Sequence, residues 1–224
     1  MKKSIKKIIN IILLIIIVFS SAILINRLYE YHKIDSVNKE IQLINKDDLS
    51  KINSDYKFWI EVPGTNINYP VVQTNNNEFY LTHNFYKEKS IGGSIFLYSK
   101  DNINYSQNLI IFGHNMKNES MFGTLGNFKD KTFFNNNKHI YLFKGNKKYT
   151  YEIFSGAIVK GSDNYLITDF SSKKAFADYI KMINSKSIVS RKMEFNNNSK
   201  ILTLSTCSYE FDDARFIILA KLIK

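Results

Sequence analysis

One thiol, one guanidinium and a choice of imidazoles are the groups in this chain that could make and break a covalent bond. The thiol is Cys207, the only cysteine, closing the run Thr203-Leu204-Ser205-Thr206-Cys207, and Arg215 follows shortly after it. A lone cysteine makes no intramolecular disulfide. In a domain outside a membrane it is either a small buried apolar group or a reactive nucleophile. Read as a strand, residues 201–207 place Leu202 and Leu204 on one face and Thr203, Ser205 and Cys207 on the other, so the thiol is not on the more apolar face. Ser208 to Ala214 join this run to the apolar run that starts at Arg215. An antiparallel hairpin over the two runs sets the guanidinium beside the thiol. There a fixed cation favours thiolate and stabilises a developing oxyanion.

A nucleophilic cysteine needs a base or a cationic partner, and histidine is the common one. Of the four histidines, His32 falls in a polar helical segment and His139 opens a strand beside Lys138; both read as surface residues. His83 follows Tyr80-Leu81-Thr82 and stays open. His114 is the best candidate: it ends the apolar strand Leu109-Ile110-Ile111-Phe112, directly after Gly113, on a rigid element and at a rim. On pattern alone a structural and a catalytic role fit His114 equally well.

Other chemistries lack their residues. There is no Cys/His set with zinc spacing, no Gly-x-Ser-x-Gly elbow, no phosphate-cradling glycine loop and no EF-hand loop. No metal or cofactor is expected. Asp212-Asp213 reads as a solvated acidic turn, with Glu210 and Asp212 as possible tuners of Arg215. The formal charge is +11, of which Lys2, Lys3, Lys6, Lys7 and Arg27 supply five. The rest is spread along the chain, which is not a nucleic-acid footprint.

The elements that must position these groups begin with an anchor. Ile8 to Ile25 carries no charge and only Asn10, Ser20 and Ser21 are polar. As a helix it is about 27 Å long, enough to cross a hydrocarbon core. Four lysines precede it, which keeps the N-terminus cytoplasmic and turns residues from about 28 onward outward. A cleaved signal peptide is the competing reading, but the apolar run continues through Ile23-Leu24-Ile25 past the small residues. The expected organisation is a cytoplasmic tail at 1–7, a transmembrane anchor at 8–26, a helical stalk or helical pair at 27–57 and one catalytic domain at 58–224. In that domain about eight strand-like runs, from Trp59-Ile60-Glu61-Val62 to the run closing at Leu222, predict a mainly β barrel or sandwich. A helical insertion over Asp169–Ser185, capped by Ser171 or Ser172, precedes the cysteine strand.

Taken together, these residues resemble a class B sortase of a low-GC Gram-positive, clostridial bacterium. The resemblance rests on Thr203-Leu204-Ser205-Thr206-Cys207 with Arg215, on Gly113-His114-Asn115-Met116, and on Trp59 to Thr65 followed by Tyr69-Pro70-Val71-Val72-Gln73. Gly93-Ser94-Ile95-Phe96-Leu97 and the helical insertion fit it too. It implies an eight-stranded sortase β-barrel and a cysteine transpeptidase that cleaves a C-terminal sorting pentapeptide after Thr through a thioacyl intermediate. Cys207 would be the nucleophile, His114 the general acid and base, and Arg215 the oxyanion and peptide holder. Asn77, Leu81, Ser162, Tyr165 and Ser205 would line the substrate groove. The implied partners are surface proteins carrying a sorting signal, a peptidoglycan precursor or cross-bridge amine, and the membrane through the anchor, with no nucleic acid. A tethered binding module with a sequestered thiol, and an exported peptidase without transferase activity, are the alternatives.

Overall fold

The computed structural model describes residues 2–224; Met1, the first residue of the expected tail, lies outside them. One helix, α1, runs unbroken from Lys2 to Leu43. Its apolar stretch is exposed on every face, from Ile8 at 57% to Ile25 at 66%. Beyond it the pattern becomes one-sided: Ile34 and Ile41 are buried, and Tyr31, Val37 and Ile44 are packed beside them. That i, i+3, i+7 spacing gives the second half of α1 an apolar stripe, which docks on the barrel. The segment expected as a stalk or a docked pair is thus docked. It ends in the short α2, Leu49–Ile52, with Leu49 buried.

Nine strands follow: β1 Tyr56–Glu61, β2 Asn68–Val72, β3 Ile95–Leu97, β4 Asn108–Phe112, β5 His139–Lys144, β6 Lys147–Lys160, β7 Ser187–Ser190, β8 Ile201–Cys207 and β9 Ala214–Leu222. They pair in the order β5-β1-β2-β3-β4-β8-β9-β6-β7, and β5 also pairs with β6. Eight strands therefore close into a barrel, and β7 hangs on the far part of the long β6. Eight was the number expected. β7 is the addition, and its Ser187-Ile188-Val189-Ser190 is too short and polar to read as a strand beforehand.

Alternation fills the barrel. Phe58, Ile60, Val71, Ile111, Leu202, Leu204, Phe216 and Ile218 point into one buried cluster. Each large side chain removed from water contributes about 1.5–3 kcal/mol. The opposite faces of β6, β8 and β9 are not left to solvent. After the short helix α3, Lys131–Asn136, comes helix α4, Lys173–Lys186, which covers them with Phe176, Tyr179, Ile180 and Ile183. Its start is capped by Ser172, whose side chain accepts from Ala175 N at 3.1 Å, as one of the two expected caps. The outer face of β8 is consequently buried although it carries Thr203 and Ser205. Those polar groups are satisfied beneath α4: Thr203 Oγ1 donates to Asn108 Oδ1 at 2.9 Å, and Asn108 Nδ2 donates to Ile167 O at 2.8 Å.

Strand β4 is held at its middle by a buried carboxylate. Asp101, in the loop after β3, accepts from Ile110 N through Oδ2 at 2.6 Å. Burial pushes its carboxyl from 3.8 up to about 7; the Ile110 hydrogen bond opposes this and the charge of Asp169 adds to it. A folded-state value above the unfolded one means that the folded chain holds this proton more tightly. Its stabilising contribution is full below 3.8 and is lost as pH rises towards about 7. Asp101→Asn keeps an acceptor for Ile110 without the charge. It is expected to gain stability relative to the parent between pH 5 and pH 8, read from urea midpoints; a stability difference that does not move with pH would refute the account.

Candidate active site

Three neighbouring strands end on one rung of the barrel. Strands β4 and β8 run parallel, with Phe112 opposite Ser205. Beyond the last pair the contact continues: Gly113 N donates to Ser205 O at 3.3 Å, and Thr206 Oγ1 donates to Gly113 O at 2.7 Å. Asn115 Nδ2 then donates to Cys207 O at 2.9 Å. On its other side β8 is antiparallel to β9, with Cys207 opposite Arg215. His114, Cys207 and Arg215 thus sit side by side at the ends of β4, β8 and β9. The hairpin expected from sequence is present.

Each is fixed by its own surroundings. Gly113 admits no side chain: a Cβ there would lie 2.5 Å from Ile95 Cδ1 and 2.8 Å from Phe122 Cγ. That close packing carries the chain to the rim, where Phe122 N donates to His114 O at 2.9 Å and closes the following loop. His114 Nε2 lies 2.7 Å from Leu81 O. A carbonyl only accepts, so Nε2 carries the hydrogen and Nδ1 is left to exchange a proton. Arg215 Nη2 pairs with Asp213 Oδ1 at 2.9 Å, and Nη1 donates to Ala214 O at 3.2 Å. Asp213, with φ of 60°, turns its carboxylate back along the hairpin to reach this partner.

A groove of about 670 Å³ runs past all three. All five residues carried over as groove candidates line it: Asn77, Leu81, Ser162, Tyr165 and Ser205. Asn77 Oδ1 accepts from Ser99 N at 2.8 Å, which fixes its amide against the loop after β3. Tyr165 is buried, and its hydroxyl lies 3.2 Å from Ser205 Oγ. Burial, ahead of the Ser205 hydrogen bond that opposes it, raises the Tyr165 phenol above its ordinary value, so it stays neutral. The apolar wall was not identified from sequence. It consists of Phe96, Tyr98, Phe112 and Leu166 beside Leu81, and the Phe96 and Phe112 rings pack at 5.3 Å. Aromatics in strands read as core, and only barrel closure shows that these face a groove.

The acidic loop differs from expectation. The partner of Arg215 is Asp213, rather than Glu210 or Asp212. Glu210 instead pairs with Lys129, whose ammonium also donates to Ser208 Oγ at 2.9 Å. Burial works to raise Glu210, but hydrogen bonds from Lys129 and Ser208 outweigh it and bring the carboxyl down to about 2. This clip ties the loop after Cys207 to the turn Gly123–Lys129. The remaining histidines lie elsewhere. His32 is exposed on α1, His83 Nδ1 donates to Phe79 O at 2.8 Å while its ring stacks on Phe79, and His139 lies in β5 stacked on Tyr141.

This barrel and this rim define a cysteine acyl-transfer enzyme. The sortase domain matches over residues 60–223. Sortase B of Listeria monocytogenes is 35% identical over 179 residues, spanning 79% of this chain and 73% of that protein. The X-ray structure of Clostridium perfringens sortase B superposes with a TM-score of 0.77 at 46% identity, covering 80% of this chain and 100% of that one. The Staphylococcus aureus sortase B–substrate complex gives a TM-score of 0.79 at 27% identity, covering 88% and 99%. The chain belongs to the sortase family, in its class B, and is a cysteine transpeptidase of cell-wall anchoring that acts on proteins bearing sorting signals.

The Leu81 carbonyl that holds His114 has its own support. Gly93 has φ of 57°, and a Cβ on it would lie 2.4 Å from Tyr80 O and 2.8 Å from Leu81 O. Gly93→Ala must displace that carbonyl. A stability loss of about 1–3 kcal/mol is expected from the left-handed backbone and the clash. A fall in kcat of roughly tenfold to a hundredfold is expected from the loosened imidazole. Thermal unfolding and peptide-cleavage kinetics check both, and unchanged kcat in a destabilised variant would detach Leu81 from His114 function.

Proposed function

We propose that Cys207 is the nucleophile, His114 the proton carrier and Arg215 the oxyanion and peptide holder. The observation that carries this reading is their placement on one rung, around one groove. The Cys207 thiol gives up its proton to His114 Nδ1, and its sulfur attacks the Thr carbonyl carbon of the sorting pentapeptide. The tetrahedral oxyanion faces the Arg215 guanidinium, a preorganised donor fork that Asp213 holds in place. The C–N bond then breaks. His114 gives a proton to the leaving amine from Nδ1, and the thioacyl-enzyme remains. An amine of a peptidoglycan precursor or cross-bridge next attacks the thioester. His114 takes its proton, the new amide forms and the Cys207 sulfur leaves. Water in place of the amine gives hydrolysis.

Asn77, Leu81, Ser162, Tyr165 and Ser205 form the peptide groove in this reading, with Leu81 and its aromatic neighbours taking the apolar parts of the signal. Residues 8–26 anchor the protein as a single membrane span, 1–7 stay cytoplasmic, α1 beyond the span and α2 (27–57) join it to the body, and 58–224 work outside the cell. The lysine asymmetry and the all-round apolar exposure of α1 support this topology.

The test uses a panel of pentapeptides of the Asn-Pro-x-Thr-Asn and Ser-Pro-x-Thr-Gly types. Cleavage after Thr, a thioacyl adduct on Cys207 by mass spectrometry, and a ligated product when a peptidoglycan-like amine is added are expected. Cys207→Ala and His114→Ala should fold and not turn over; a fully active Cys207→Ala protein would sink the assignment. Arg215→Lys keeps the charge but loses the fork. It is expected to lower kcat by roughly a hundredfold or more, with a smaller change in KM.

A further inference from the structure

Helix α1 has no joint between its apolar stretch and the barrel. The helix is continuous through Arg27, Leu28 and Tyr29. It is then fixed to the body at several points. Ile34 packs on Gly92, where a Cβ would come 2.9 Å from its Cδ1. Asp35 Oδ1 accepts from Asn118 Nδ2 at 3.2 Å, Glu40 accepts from the Tyr86 hydroxyl at 2.8 Å, and Gln42 Nε2 donates to Asn68 O at 2.9 Å.

The first of these contacts fall on the His114 wall of the groove. Asn118 lies in the loop that leaves His114, which closes through Phe122 N on His114 O. Gly92 adjoins Gly93, which abuts the Leu81 carbonyl, and that carbonyl accepts from His114. From Ile25, the last residue of the apolar stretch, to Ile34 is about 14 Å of helix. Nothing flexible lies in between.

We infer that α1 is a ruler: it holds the groove at one short, fixed height above the membrane. The partner this fits is a polypeptide tethered in the same membrane, with its cleavage segment within that height. For such a partner the encounter is confined to a thin layer, and effective concentration depends on matching heights. A free peptide gains nothing from the ruler. The inference rests on the proposed membrane anchoring of residues 8–26.

The experiment inserts an Ala-rich helical segment of about fourteen residues after Leu28, which raises the groove by about 21 Å. Two substrates are compared in membranes holding the full-length enzyme. One is a soluble pentapeptide. The other is a reporter whose pentapeptide directly precedes its own single membrane span. The extended enzyme is expected to cleave the soluble peptide at the parental rate and to process the tethered reporter at least about tenfold more slowly. A helical spacer of the same length between the reporter's pentapeptide and its span should restore processing. Parental processing of the short reporter by the extended enzyme overturns the ruler, as does failure of the spacer to rescue it. Release of the parent enzyme from membranes by alkaline carbonate overturns the anchor reading itself and separates that failure from this one.

Discussion

The site depends on the register of β8 between its two neighbours. One strand supplies the thiol, and the strands on either side supply the imidazole and the guanidinium. Because side chains alternate, a slip of one residue would send Cys207 to the opposite face and carry Leu202 and Leu204 out of the core. Parallel pairing with β4 and antiparallel pairing with β9 fix the register from both sides. Barrel closure through β5 and β6 removes the free edge at which such a slip could begin. The rim groups are therefore placed by the five ladder pairs below them on one side and the six on the other, rather than by contacts among themselves.

This explains why β8 carries polar residues where a buried strand is usually apolar. Its inner face is Leu202 and Leu204. Its outer face carries Thr203 and Ser205, covered by α4 and the segment before it. Thr203 binds Asn108, which reaches Ile167 O, and Tyr179 donates to Tyr165 O. An apolar pair at Thr203 and Asn108 would pack as well but would leave the Ile167 carbonyl without its donor. The polar stitch thus ties the insertion to the strand that carries Cys207. It also delivers the Tyr165 hydroxyl to Ser205, two residues before Cys207 and on the same face.

Much of this was legible in the sequence, and the reasons are local. The apolar strands, the turns between them, the Cys207–Arg215 hairpin and the Ser172 cap each depend on neighbouring residues, so pattern reveals them. The family resemblance supplied His114 over His83, which pattern left open. What stayed hidden depends on closure or on a single rotamer. Phe96 and Phe112 are indistinguishable from core until the barrel shows which side faces the groove. β7 is four residues with two serines, and it is a strand because the end of β6 extends beyond β5 and leaves an edge to pair. The choice of Asp213 over Asp212 turns on one left-handed backbone position that no composition announces.

The imidazole shows how such hidden contacts bear on chemistry. A neutral histidine has two tautomers, and the hydrogen bond made by one ring nitrogen decides which of the two is free to exchange a proton. Leu81 O removes the ambiguity by engaging Nε2. The carbonyl is itself backed by Gly93, where a Cβ would lie 2.8 Å from it, and Gly92 beside it is packed on Ile34 of α1. A line of close contacts therefore joins the His114 imidazole to the docked half of α1. Beyond the Nε2 hydrogen bond, each link is a packing or backbone constraint rather than a charge. The helix that fixes the groove in space is also part of what fixes the imidazole within it.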